Sequence, residues 1–393
     1  MVLSLSRNTV RNFNVSNNII TRYNFLGDTA VKKKFLIYVA LIMAFLSMTA
    51  LSCSQSSTGT VVSIKNDRFY INGEPTYKDR YWEGNKIEGL LFNSRMVQGI
   101  FDDLNAETRD NFKYPDTGEW DPDRNTREFI EAMTDWRDHG LLAFTLNLQG
   151  GSPLGYGNHG WINSTFDSAG NLRPEYMSRL ELILDKADEL GMVVILGYFY
   201  FGQDQVLNDE SAVLNAVDTI TGWILMKGYR NILVEINNEC NINYDHEILQ
   251  ADRVHELIER VQNISGHTLL VSTSYGGGHI PHPNVVKSAD YILIHGNGVD
   301  EPSRIAEKVT QTKAVKGYTS KPIVFNEDDH FDFDADSYNL RSAVESYASW
   351  GFFDFRMEGE GFESGYQSVP VDWKISSERK KAFFGKVKEI TGL

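Results

Sequence analysis

Apolar residues recur along this chain with two alternating spacings. Short, nearly continuous apolar runs of strand length stand at Gly89–Phe92, Leu141–Leu148, Met192–Phe199, Asn231–Ile236, Thr268–Ser272, Tyr291–His295, Pro322–Phe325 and Gly351–Phe355. Longer stretches with apolar positions three and four apart lie between them, at Arg127–His139, Pro174–Leu190, Glu210–Met226, His246–Asn263, Pro302–Lys316, Ser337–Trp350 and Ser376–Ile390, with a weaker one at Pro283–Ser288. This alternation predicts repeated βα units around a parallel sheet. Gly140, Gly191, Gly228 and Gly266 fall just past the expected helix ends, where a left-handed cap residue is favoured. The unit count predicts an α/β fold of the (β/α)8 TIM-barrel type. A doubly wound open sheet is the alternative, and the lack of a Gly-x-Gly-x-x-Gly after the first strand weighs against it. Ahead of the barrel, Val-Val-Ser-Ile from Val61 and Arg-Phe-Tyr-Ile from Arg68, separated by Lys-Asn-Asp, predict an N-terminal β-hairpin lid.

The pattern changes at the start of the chain. Lys32, Lys33 and Lys34 precede an unbroken apolar run from Phe35 to Leu51, which stops at Ser52-Cys53-Ser54. The run is short for a bilayer span of about 20 residues and reads as an export signal. Ala50-Leu51-Ser52-Cys53 resembles a bacterial lipoprotein box, which implies that Cys53 is lipidated and that the protein is anchored in the cell envelope. An uncleaved signal anchor is the alternative. Residues 1–30 form a polar, Asn-rich prefix that suggests no function. The expected organisation is a signal over 1–53, a short linker over 54–59 and a single barrel domain over 60–393.

Composition narrows the partners. The 393 residues are 41% hydrophobic and 12% aromatic, enough apolar material for a large core. The formal charge is −15. The first 52 residues hold six basic groups and one acid, so the remainder carries 32 basic against 52 acidic residues, a net −20 that repels nucleic acid. Contact with a membrane is expected only through the N-terminal lipid or anchor. Of the two cysteines, Cys53 and Cys240, the second reads as a buried filler, because nothing beside it lowers a thiol pKa.

Barrel chemistry sits where strands end. The fourth strand delivers Asn238-Glu239 and the seventh Asn326-Glu327. Two acids 88 residues apart thus face one another across a barrel mouth. Carboxylates at about 5–5.5 Å suit a retaining glycosidase, and a wider gap suits an inverting one; spacing in sequence leaves both open. Asp328 and Asp329 are rival carboxylates beside Glu327, and Glu235, inside its strand, reads as a buried structural acid.

The pieces VEINNEC at 234–240, KPIVFNEDD at 321–329, ADELGMVVILGYF at 187–199 and His295 at the end of strand six resemble the clan of retaining (β/α)8 glycoside hydrolases that includes the cellulase and mannanase family five. The resemblance implies a carbohydrate substrate, no cofactor, Glu239 as acid/base, Glu327 as nucleophile, Asn238 as donor to a sugar 2-hydroxyl and His295 as a subsite hydrogen-bonder. The chain departs from that family at Cys240, where Pro is common after Asn-Glu; at Asn147 and Gln149, where an Arg ends strand two; at Gly296-Asn297, where a Tyr follows the strand-six His; and at Phe355-Arg356, where a strand-eight Trp is usual. Arg95 and Arg356 are candidates for the missing cation or for recognition of an acidic sugar; loop salt bridges are the alternative for each.

Among the aromatic residues, Trp161 and Tyr200 are expected to stack on sugar rings, ahead of Trp82, Tyr156 and Tyr198. Gln203 and Asp204, just past strand three, are candidates for hydroxyl recognition. No metal is expected. Asp332-Phe333-Asp334-Ala335-Asp336 lacks the turn Gly and the final Glu of a calcium loop, and His279 and His282 lack a third ligand nearby. The glycine runs at 150–151 and 276–278 lack the Lys-Ser/Thr of a phosphate cradle. A non-catalytic glycan-binding barrel and an inverting hydrolase or polysaccharide lyase remain as rival functions.

Overall fold

In the computed structural model the described residues are 59–157 and 159–393. The export signal and lipidation at Cys53 lie outside the described residues. The hairpin is present: β1 (Val62–Lys65) pairs antiparallel with β2 (Arg68–Ile71), and β3 (Glu74–Pro75) adds to β2. Phe69 is fully buried and meets the Tyr291 ring edge-on at 6.3 Å, while Val62 N–H donates to Arg230 O, just before the fourth barrel strand. The hairpin therefore lids the N-terminal end of the barrel, opposite the strand ends that carry chemistry. A short ribbon follows, β4 (Tyr81–Trp82) with β5 (Asn85–Lys86).

Eight parallel strands come next, each followed by a helix: β6 (Asn93–Arg95) and α1 (Pro122–Asp138), β7 (Ala143–Asn147) and α2 (Pro174–Leu190), β8 (Val193–Tyr200) and α3 (Glu210–Lys227), β9 (Ile232–Asn238) and α4 (His255–Ser265). The second half has β10 (Leu270–Ser272) and α5 (Pro283–Ser288), β11 (Ile292–His295) and α6 (Pro302–Ala314), β12 (Ile323–Glu327) and α7 (Asn339–Glu345), β13 (Gly351–Phe352) and α8 (Glu378–Thr391). Strands β10-β9-β8-β7-β6-β13 form one continuous sheet and β11-β12 a pair. The circle closes through bridges Val324–Ser349 and Asp328–Phe352 on one side, and through Asp290 N–H to Val271 O at 2.9 Å on the other. The architecture is a (β/α)8 barrel.

Several helices show why their sequences start and stop where they do. Asp121 caps α1 by accepting from Arg124 N–H at 2.8 Å, with Pro122 at the first position. This cap starts α1 five residues earlier than apolar spacing alone predicts. Gly191 and Gly228 close α2 and α3 in the left-handed conformation. Helix α4 is shorter than the pattern at 246–263 predicts, because 247–249 form a separate 3-10 turn. The expected helix at 337–350 is cut at Glu345, since Ser349 and Trp350 are taken into barrel closure.

The first barrel strand corrects the sequence reading most. Apolar Gly89–Phe92 leads into the barrel through a turn, with Leu90 N–H on Ile87 O, and the ladder with β7 begins at Asn93. A fully buried strand spelled Asn-Ser-Arg has no apolar signature. It is stable inside because its Arg meets buried carboxylates. Among the described residues no helix is long and apolar enough to cross a membrane.

Candidate active site

Strand β9 is apolar apart from Glu235 until Asn237 and ends at Asn238, so the next residue leaves the sheet. Glu239 takes a left-handed backbone, φ 54°, which costs a non-glycine residue energy and redirects its side chain over the mouth. Three hydrogen bonds hold that turn: Glu239 N–H to Ser274 Oγ and Cys240 N–H to Ser274 O, both 2.9 Å, and Ile242 N–H to Glu239 O at 2.8 Å. Asn238 is buried, its carbonyl accepts from the Tyr244 hydroxyl, and its Oδ1 has no hydrogen-bond partner among the described residues. Cys240 is fully buried, and burial pushes its thiol up to about 12, which removes it as a nucleophile.

Glu327 ends β12 directly opposite His295 of β11, at a point where the ladder register shifts. Arg95 Nε approaches Glu327 Oε2 at 3.0 Å, with both side chains almost wholly buried. Asn297 Nδ2 donates to the other oxygen, Oε1, at 2.9 Å. His295 Nδ1 lies 3.0 Å from Glu239 Oε1 and 3.7 Å from Glu327 Oε2, and so stands between the two acids. One carboxylate oxygen of Glu239 and one of Glu327 lie within 4.8 Å of each other.

The electrostatics follow from burial. Desolvation raises the carboxyl pKa of Glu239, Glu327 and Glu235, while the Arg95 guanidinium opposes the rise at all three. Glu327 alone has both the contact with Arg95 and the Asn297 amide, and both favour its charged form. Burial lowers His295 to about 4, so its imidazole is neutral at pH 7. Lys308 Nζ, on α6, donates to His295 O at 2.7 Å and fixes the end of β11.

The other predicted residues are placed less directly. Arg95 lies beneath Glu327, not at the surface. Arg356 forms no ion pair with an acid among the described residues; its guanidinium donates to Gly361 O at 3.0 Å and to Pro370 O, so it ties a loop together. Trp161 and Tyr200 are buried at 3% and 5% exposure, Trp161 against Phe112 and His159 and Tyr200 stacked on Phe201 with its hydroxyl on Ser152, so neither presents an open face. Gln203 and Asp204 are buried as well. Gln203 accepts from Asn163 N–H and donates to Trp161 O, and Asp204 accepts from Asp245 N–H at 2.7 Å, so both are spent on loop backbone.

Tyr156, ranked behind those two aromatics in the sequence, is 55% exposed. Its ring edges meet Phe353 and Phe355 past β13, and its hydroxyl donates to Asp329 at 3.0 Å. The rival acid Asp328 points away from the mouth, accepting from Trp350 Nε1, Asn339 and His330. Asn297, Ser274 and Gly277 escaped sequence reading. Their only signals were an amide two residues after His295 and a glycine run with no phosphate-binding neighbours.

Among the described residues, two groups bring metal-ligand atoms together, Glu239/His295/Glu327 and Asp328/Asp329/His330. In the first, Arg95 already places positive charge beside Glu327. In the second, His330 Nδ1 is hydrogen-bonded to Asp328 Oδ1 at 2.6 Å, which raises the imidazole to about 9.

No protein-family model matches the chain, and no curated protein matches it. Solved structures do. A glycoside hydrolase family 5 protein from Bacteroides vulgatus is 14% identical, with 84% of this chain and 71% of that chain covered at a TM-score of 0.52. The endo-1,4-β-mannanase of Rhizomucor miehei is 11% identical, covering 84% and 99% at 0.51. A family 5 mannosidase from the same organism is 12% identical, covering 85% and 98% at 0.53. At such identities the likeness is one of fold.

Proposed function

We propose that this protein is a glycoside hydrolase that cleaves poly- or oligosaccharides by double displacement with retention of configuration, Glu327 attacking and Glu239 serving as acid and then base. The observation that carries the reading is the pairing of two strand-end carboxylates whose nearest oxygens lie within 4.8 Å. That closeness suits direct attack and leaves little room for the water that an inverting enzyme holds between carboxyls about 6.5–9.5 Å apart. The structural neighbours, a mannanase and a mannosidase among them, support a carbohydrate substrate.

The two acids differ in the way the reaction needs. Glu327, with Arg95 on one oxygen and Asn297 on the other, is held ionised and oriented towards an anomeric carbon. Glu239, raised by burial and facing neutral His295, keeps a proton for the leaving oxygen. Attack forms a glycosyl ester on Glu327 and removes its charge. The Glu239 carboxylate left behind then no longer faces a neighbouring anion, its pKa falls, and it takes a proton from the water that hydrolyses the ester. Export and lipidation at Cys53 belong to the same proposal and place the enzyme on the cell envelope; labelling with radioactive palmitate that survives Cys53→Ala would remove that part.

The test is hydrolysis of a panel of β-mannans, β-glucans, xylans and aryl glycosides, with reducing-end detection and proton NMR of the first anomer formed. Retention is expected, Glu327→Ala should lower turnover by at least 10³-fold, and Glu239→Ala should spare 2,4-dinitrophenyl glycosides, whose leaving group needs no proton. Inverted product, or turnover that survives Glu327→Ala, would overturn the reading. Binding without any turnover would leave a glycan-binding barrel.

A further inference from the structure

Asn297 stands where no catalytic role is assigned, yet it touches Glu327 twice. Its Nδ2 donates to Glu327 Oε1 at 2.9 Å, and its backbone N–H reaches Glu327 O at 3.3 Å. Both side chains are buried, so the amide bond is shielded from water and strong enough to choose a rotamer. The other carboxylate oxygen faces Arg95 at 3.0 Å. The amide hydrogen bond on one oxygen and the ion contact on the other favour one orientation of the carboxylate, and Asn297 is the neutral half of that pair.

The amide is itself held in place. A Cβ on Gly277 would lie 2.0 Å from Asn297 O and 2.8 Å from Asn297 Oδ1, so only glycine lets the loop after β10 press against this residue. The loop after β10 therefore packs closely against a side chain whose amide serves Glu327.

We propose that Asn297 is a positioning residue for Glu327: it orients the attacking carboxylate and stabilises its charged form, with Gly277 as its seat. The proposal rests on the assignment of Glu327 as nucleophile. A donor to a carboxylate favours ionisation, so losing it raises the carboxyl pKa; a second carboxylate in its place raises it further.

Two readouts test this. In Asn297→Ala, kcat on the best substrate of the panel should fall about 10²-fold, the scale of removing one oriented donor, with KM changed little, and the acidic limb of the kcat/KM profile should move to higher pH. Asn297→Asp keeps the size of the side chain and should move that limb further, by at least one pH unit. Independently of any substrate, protein labelled with 13C at the Glu carboxyls reports the Glu327 titration directly, assigned by its loss in Glu327→Gln. Its midpoint should rise in the order wild type, Asn297→Ala, Asn297→Asp. A midpoint and an acidic limb that both stay put, whatever happens to Tm, would overturn the proposal. A midpoint that moves while Glu327→Ala retains turnover would instead refute the nucleophile assignment and leave the pairing intact.

Discussion

At the scale of single residues, the site turns on how few positive charges serve how many acids. Glu235, Glu239 and Glu327 all interact with the Arg95 guanidinium, and His295 at about 4 adds no charge at neutral pH. Glu235 is wholly buried and receives long hydrogen bonds from Asn326 Nδ2, 3.3 and 3.4 Å. Its pKa is raised, chiefly by desolvation. Between the unfolded and folded values the native state holds a proton that the unfolded chain has released, so stability falls as pH rises through that window. Glu235→Gln, neutral at every pH, should flatten that fall. Thermal melts of both proteins between pH 4.5 and 8 measure it, and the difference between them cancels the opposite contribution of His295, whose lowered pKa costs stability below its unfolded value. Identical slopes would mean that Glu235 is not a protonated member of the cluster.

At the scale of elements, strand ends decide the chemistry. Glu239 points into the mouth because its backbone is left-handed, and Ser274, two residues past β10, holds that turn from the neighbouring strand. Removing the hydroxyl leaves a buried N–H without a partner, a cost of about 1–3 kcal/mol. Ser274→Ala should therefore lose stability on that scale in urea melts and lower kcat as the acid drifts. Stability loss with kcat intact would show that other contacts suffice to aim Glu239. The same logic explains the misplaced first strand. Its residues are polar because Asn93 and Ser94 donate to backbone carbonyls of neighbouring strands and Arg95 faces Glu327, and hydrophobic periodicity cannot register an element whose partners are polar.

For the whole molecule, the barrel separates stability at one end from chemistry at the other. The hairpin seals the N-terminal end with Phe69 against Tyr291, whose hydroxyl donates to Val234 O inside β9. Phe69→Ala should cost about 3–5 kcal/mol, seen as a lower urea midpoint, while kcat of the folded enzyme is unchanged. A selective loss of kcat would mean that the lid communicates with the mouth. Closure is the weaker part of the design, because β10–β11 and β12–β13 meet through isolated bonds, and α8 compensates by stacking Phe383 on Phe352 at 4.3 Å.

The order of strands and helices, and the two acids at strand ends, were legible in the sequence because both depend on local periodicity: an apolar run must end where its last residue leaves the core, and a polar residue at that point stands out. The neighbours of those acids depend on which strand ends meet across the barrel, and no local pattern encodes that. Only the folded chain brings Arg95 to Glu327 from the far end of the sequence, aims Asn297 with a glycine run, buries Trp161, Tyr200, Gln203 and Asp204, and leaves Tyr156 open. Burial and partnership are properties of packing, and packing is fixed by long-range closure of the barrel.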